Sequence, residues 1–178
     1  MNIKLVILML VVFSCASAYL INAEVFSSKI KADEPEPACV GTKYSGAWFE
    51  VIIPDDFVSK PSMTSTTNDG YDSVWFENSK IGLELYLYSP QWGGMPSDLL
   101  NDSNIENVSE QLKTNREFTV NIRTVVYRDG TFGSFTTKEA VDYPSHLTTG
   151  HRSQQRELSL EREGIYTCFV QSIQQFMD

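Results

Sequence analysis

An apolar run from Leu5 to Phe13 constrains everything downstream of it, because it decides the compartment in which the chain folds. Asn2 and Lys4 give a short, weakly positive start, and Ala16-Ser17-Ala18 supplies the small-x-small pattern at which a secretory signal is cut. The run is too short to span a bilayer, which takes about 20 apolar residues. Cleavage after Ala18 discards Cys15 and leaves Cys39 and Cys168 in an oxidising compartment, where one disulfide is the natural expectation. Ile21-Asn22-Ala23 is a tolerable second cleavage point. Val12-Phe13-Ser14-Cys15 loosely resembles a lipobox, which would anchor the chain through a lipid on Cys15. Phe13 fits that position poorly, so a signal cut after Ala18 is the preferred reading. The mature form is then periplasmic or secreted and has no transmembrane helix.

Residues 1–18 are therefore read as signal peptide, 19–37 as an acidic arm and 38–178 as one α+β domain. The arm closes on Asp33-Glu34-Pro35-Glu36-Pro37, where paired prolines favour extended chain. Apolar residues at 42% and aromatics at 12% suffice for a real core. Net charge is −9, and no Lys/Arg cluster offsets it locally. Such a balance repels phosphate backbones and anionic lipid, so nucleic acid is not an expected partner. A cationic partner would suit the surface, although acidity serves solubility equally well.

Along the domain, Trp48 to Ile53 reads as a strand with Phe49, Val51 and Ile53 on one face, ended by Pro54 and a turn at Asp55-Asp56. Residues 59–70 read as a loop or irregular edge. Ser73–Glu77 and Ile81–Tyr88 form the next strands, with Leu83, Leu85 and Leu87 opposite Glu84, Tyr86 and Tyr88. Ser103 and Glu106 fit a capping box, and Ile105, Val108 and Leu112 at i, i+3 and i+7 predict a helix there. Glu117–Arg128 alternates as a strand, turns at Asp129-Gly130 in a type I′ hairpin and returns through Thr131–Thr137. Glu139–Gly150 reads as an irregular connection, Arg152–Leu160 as a polar strand and Ile165–Ile173 as a last strand. Strands, one helix, then strands argue an antiparallel β-sheet with one main helix packed on a face, an α+β fold.

Phe49–Phe57 (FEVIIPDDF), Asp72–Phe76 (DSVWF), the apolar strand after it, a helix following a Pro-containing loop, and Glu163–Phe169 (EGIYTCF) together resemble the PsbP-like α/β/α sandwich. The likeness spans about residues 46–173 as a pattern of elements. It implies an exported bacterial accessory or binding module without catalytic activity. Members generally close with a C-terminal helix, and with Ile165–Ile173 read as the last strand little room for one is expected before Asp178.

Chemistry is sparse. A nucleophilic triad would need Ser or Cys with a His held by a carboxylate. Only His146 and His151 are available, and Asp142, Ser145 and His146 merely lie close in sequence. A solvated loop histidine is the simpler reading. Zinc would need several His or Cys ligands at short spacing, whereas Cys39 and Cys168 are 129 residues apart, so a disulfide is preferred and no metal or other cofactor is expected. Such a bridge stabilises by about 4–5 kcal/mol in the chain-entropy picture. Asn68–Asp72 lacks the alternating ligands of an EF-hand loop, and Asp55-Asp56 reads as two solvated carboxylates. Asn101-Asp102-Ser103 and Asn107-Val108-Ser109 are glycosylation sequons. Tyr86, Tyr88, Trp92 and Gly93 form the candidate partner or ligand surface, since Trp and Tyr anchor interfaces; the competing reading places these rings in the core.

The expected function is a non-enzymatic envelope protein that binds a protein or small ligand. The alternatives are a periplasmic inhibitor or immunity protein against a toxin, and a small secreted hydrolase using a carboxylate or His146.

Overall fold

The computed structural model describes residues 39–63, 73–90, 99, 102–141 and 146–176. They lie in one compact unit, Cys39–Asp178. In chain order the described elements are β1 (Gly41–Ser45), β2 (Phe49–Pro54), β3 (Val58–Met63), β4 (Ser73–Asn78), β5 (Leu83–Tyr88), β6 (Ile105–Thr114), β7 (Phe118–Tyr127), β8 (Phe132–Ala140), β9 (His146–Ser153), α1 (Leu160–Gln171) and β10 (Gln174–Gln175). The strands make two antiparallel sheets, one ordered β1-β2-β10 and one ordered β3-β4-β5-β9-β8-β7-β6. The architecture is α+β, with one described helix against sheet.

Alternation builds the main core. Phe49, Val51 and Ile53 of β2 point inward against Val74 and Phe76 of β4, Leu83, Leu85 and Leu87 of β5, and Phe169 of α1. The opposite face of the large sheet carries a second cluster of Tyr86, Tyr88, Leu99, Val125, Tyr127 and Phe135. The sheet is thus apolar on both faces, with Leu83, Leu85 and Leu87 of β5 in one core and Tyr86 and Tyr88 in the other by their parity. Gly150 of β9 lies under the Phe135 ring, where a Cβ would stand 2.2 Å from a ring carbon, so the strand admits only glycine there.

Several sequence readings are corrected. Ile105–Thr114 is not a helix but the edge strand β6, paired with β7 from Ile105↔Tyr127 to Thr114↔Thr119. A bulge between Ile105 and Asn107 adds one residue and shifts the phase. Ile105, Val108 and Leu112 therefore share one strand face at a spacing that imitates a helical stripe. The capping box gives way to a turn in which Asp102 accepts from the Asn104 amide at 2.8 Å. Second, Glu139–Gly150 is not an irregular connection: it ends β8 and begins β9, a strand inside the large sheet. Third, β9 stops at Ser153, and Leu160–Gln171 is a helix rather than strand. Ile165, Tyr166, Phe169, Val170 and Ile173 recur at i, i+1, i+4, i+5 and i+8 and all join the main core. Glu161 and Glu163 in the first turn suit the positive end of the helix dipole. The closing helix that the strand reading omitted is therefore present.

The last correction is local. Positive φ falls on Gly130 (82°) and not on Asp129, and the Gly130 amide donates to the Tyr127 carbonyl at 2.9 Å. That is a type I turn closed by a glycine bulge, not type I′. Residues 59–63, read as loop or irregular edge, belong to β3, whose Pro61 sits beside a bulge on the sheet edge.

Cys39, just before β1, is bonded to Cys168 of α1 with their Cα atoms 5.2 Å apart. The expected bridge is present, but it ties the first strand's entry to the helix. Ser172 reinforces the same junction: the Ile52 amide donates to its Oγ at 2.9 Å. Gln175 of β10 joins the two sheets, donating to Ser89 Oγ at 2.8 Å and to the His146 carbonyl at 3.1 Å.

Candidate functional site

Antiparallel register puts His151 of β9 opposite both Leu85 of β5 and Ser134 of β8, on the sheet face that α1 covers. The β9–α1 connection and the first turns of α1 then fold back over this spot. The result is a groove of about 440 Å³ lined by Ser134, His151, Arg156, Glu157, Leu158, Glu163 and Tyr166. This volume lies within the range of small-molecule sites, roughly 300–1,000 Å³.

His151 and Tyr166 form its floor, their rings edge to face at 5.1 Å between centroids. Burial lowers the His151 pKa from its ordinary value, so the imidazole is neutral at neutral pH. Its Nδ1 is sealed from solvent with no partner among the described residues, so the groove meets the other edge of the ring. An unpartnered lone pair is less costly than an unpartnered N–H, which favours the tautomer with the proton on Nε2. The Tyr166 hydroxyl shares a 3.3 Å hydrogen bond with Thr149 Oγ1, and burial raises its pKa. His151, Tyr166 and Ser134 are thus neutral, hydrogen-bonding groups in a partly desolvated setting.

The other histidine lies on the opposite face. His146 is 2% exposed, with Nε2 3.2 Å from Thr148 Oγ1 and its ring edge-on to Tyr88 at 5.5 Å. Burial lowers its pKa, opposed by Glu139 across the β8–β9 ladder. It is therefore not a solvated loop residue. Asp142 and Ser145, its sequence neighbours, lie outside the described residues.

A second cleft, about 290 Å³, opens at the end of the sheet around Glu77, Glu84, Asp129 and Arg152. Its cation is engaged. Arg152 donates to Thr131 Oγ1 at 2.7 Å and Asp129 Oδ2 at 2.5 Å, and stands 4.0 Å over the Tyr127 ring. Hydrogen bonds from Thr131, with Arg152 nearby, hold the Asp129 carboxyl below its usual pKa. This network closes the β7–β8 hairpin.

Of the surface expected from the sequence, Tyr86 and Tyr88 are 0% and 4% exposed and belong to the second core cluster, so the core reading holds for both tyrosines. Trp92 and Gly93 lie outside the described residues. Asp55-Asp56 occupies the expected turn, with Asp56 paired to Lys80 at 3.0 Å. Sequence reasoning missed His151, Ser134 and Tyr166. The i, i+4 recurrence from Ile165 to Phe169 was the available signal, because a helix there places Tyr166 over the sheet. Among the described residues no group of acidic, His or Cys side chains is arranged to hold a metal, and no helix is long and apolar enough to cross a membrane.

No family model and no curated protein matches the chain. Among solved structures it is similar to a Bacteroides thetaiotaomicron VPI-5482 protein at 12% identity and a TM-score of 0.44. That match covers 78% of this chain and 49% of the other, so the chain spans about half the length of that protein. It is also similar to cyanobacterial PsbP from Synechocystis sp. PCC 6803, at 10% identity and a TM-score of 0.42, covering 83% of this chain and 99% of that one. Superpositions this loose transfer no property, and the chemistry of the site rests on its own residues.

Proposed function

We propose that the chain is an exported, non-catalytic binding protein that holds a small ligand in the groove over His151 and Tyr166. The groove itself carries this reading: a small-molecule volume, a partly buried floor of neutral hydrogen-bonding groups, and a wall fixed covalently through Cys168. The apolar leader before Ala18 and the disulfide support an extracytoplasmic setting. Binding is favoured over hydrolysis by the surroundings of His151. A base in a triad is oriented by a carboxylate on its second nitrogen, and Nδ1 of His151 has no such partner among the described residues.

The test is a thermal-shift screen of a small-molecule library against the chain and its Tyr166→Ala form. A ligand at one hundred times its Kd stabilises the folded state by about 2.7 kcal/mol, a clear rise in melting temperature. Hits lost in Tyr166→Ala are expected. Hits that persist undiminished in that variant place binding elsewhere and contradict the reading.

A further inference from the structure

Charge around the groove indicates the class of molecule it takes. Arg156, Glu157 and Glu163 all line it, and none of them enters an ion pair among the described residues. Several cations elsewhere are matched: Lys43 with Glu50, Lys60 with Glu77, Lys80 with Asp56, Arg123 with Glu110, and Arg152 with Asp129. The Arg156 guanidinium is held only loosely, 5.8 Å over the Phe132 ring. Unmatched charges of both signs therefore converge on one concavity. A simple anion would meet two carboxylates there, and a simple cation would meet Arg156. A molecule carrying both signs satisfies each. Size narrows the class further: about 440 Å³ falls among small-molecule sites and is well beyond a single ion.

We propose that the groove binds a zwitterionic peptide of two or three residues, its terminal carboxylate on Arg156 and its terminal ammonium on Glu157 and Glu163. The Arg156 guanidinium can grip a carboxylate with two parallel hydrogen bonds. The Tyr166 hydroxyl and the His151 N–H then face the peptide's amide carbonyls, and Leu158 offers apolar contact. This inference rests on the small-ligand reading of the groove and adds the ligand's chemistry.

Calorimetric titration of the full chain with trialanine, N-acetyl-trialanine, trialanine amide and the doubly blocked peptide tests it. The free peptide is expected to bind, and each blocked end to weaken binding about tenfold or more. Arg156→Ala should weaken the free peptide yet leave the amide unchanged. The double substitution Glu157→Gln, Glu163→Gln should do the same with respect to the N-acetyl form. Both sets alter exposed side chains, and a retained far-ultraviolet spectrum and melting temperature establish folding. Equal binding of the doubly blocked peptide, or no binding of any of the four, overturns the proposal. NMR shifts of His151 and Tyr166 in the library screen separate the two levels. If other compounds move them while peptides do not, the groove reading stands and the peptide class falls; if nothing moves them, both fall.

Discussion

One buried histidine, His146, and one half-buried histidine, His151, make the chain sensitive to mild acid. His146 and His151 have folded pKa values lowered by burial, while in the unfolded chain each titrates near its ordinary value of about 6.5. Above that pH both are neutral in either state and their contribution is intact. As pH falls below it, the unfolded chain takes up protons that the folded chain refuses, so stability drops by up to about 1.4 kcal/mol per pH unit per histidine. Urea unfolding between pH 7.5 and 5.5 should show this decline, and His151→Gln should flatten it relative to the parent; a parent curve that is level or rises would contradict the burial argument. Phe169 is the other residue to test, fully buried between Phe76 and β2. Phe169→Ala should lose about 3–5 kcal/mol in the same measurement. Its importance was legible as an apolar position, but whether it sat on helix or strand was not.

At the level of elements, legibility followed the regularity of the spacing. β2, β4, β5 and β7 alternate cleanly and lie where the alternation puts them. β6 misled because one bulge at Ile105/Asn107 turned a two-residue period into apparent i, i+3, i+7. Here the hairpin decides: Asn115 Oδ1 accepts from the Glu117 and Phe118 amides at 2.9 and 2.7 Å, turning the chain straight back along β7. α1 misled in the opposite sense, because Ile165, Tyr166, Phe169 and Val170 are β-formers and Gly164 immediately precedes them. Tertiary packing on β2, β4 and β5 overrides that propensity. Gly164 itself faces open space, and a methyl group added there would meet nothing within 4 Å. Gly164→Ala should therefore stabilise the chain by up to about 1 kcal/mol, read as a raised melting temperature. A loss would show that the helix needs glycine's freedom there.

For the whole molecule, the decisive link is the bridge between Cys39 and Cys168. It closes a loop of 129 residues and holds the helix that walls the groove against the sheet. Cys39→Ser with Cys168→Ser should lower stability by about 2–5 kcal/mol in chemical denaturation. The pairing was legible, since only two cysteines, Cys39 and Cys168, lie after Ala18. The groove was not, because it needs β9 and α1 placed together, and both were assigned to other structures. Compartment, staple and groove stand together. The measurement that reaches them most directly is the intact mass of the protein recovered from its own cells after alkylation without reduction. A chain beginning at Tyr19, unalkylated and two hydrogens lighter than its fully reduced mass, is the expected result. A chain still carrying Met1, alkylated at Cys15, Cys39 and Cys168, would contradict it.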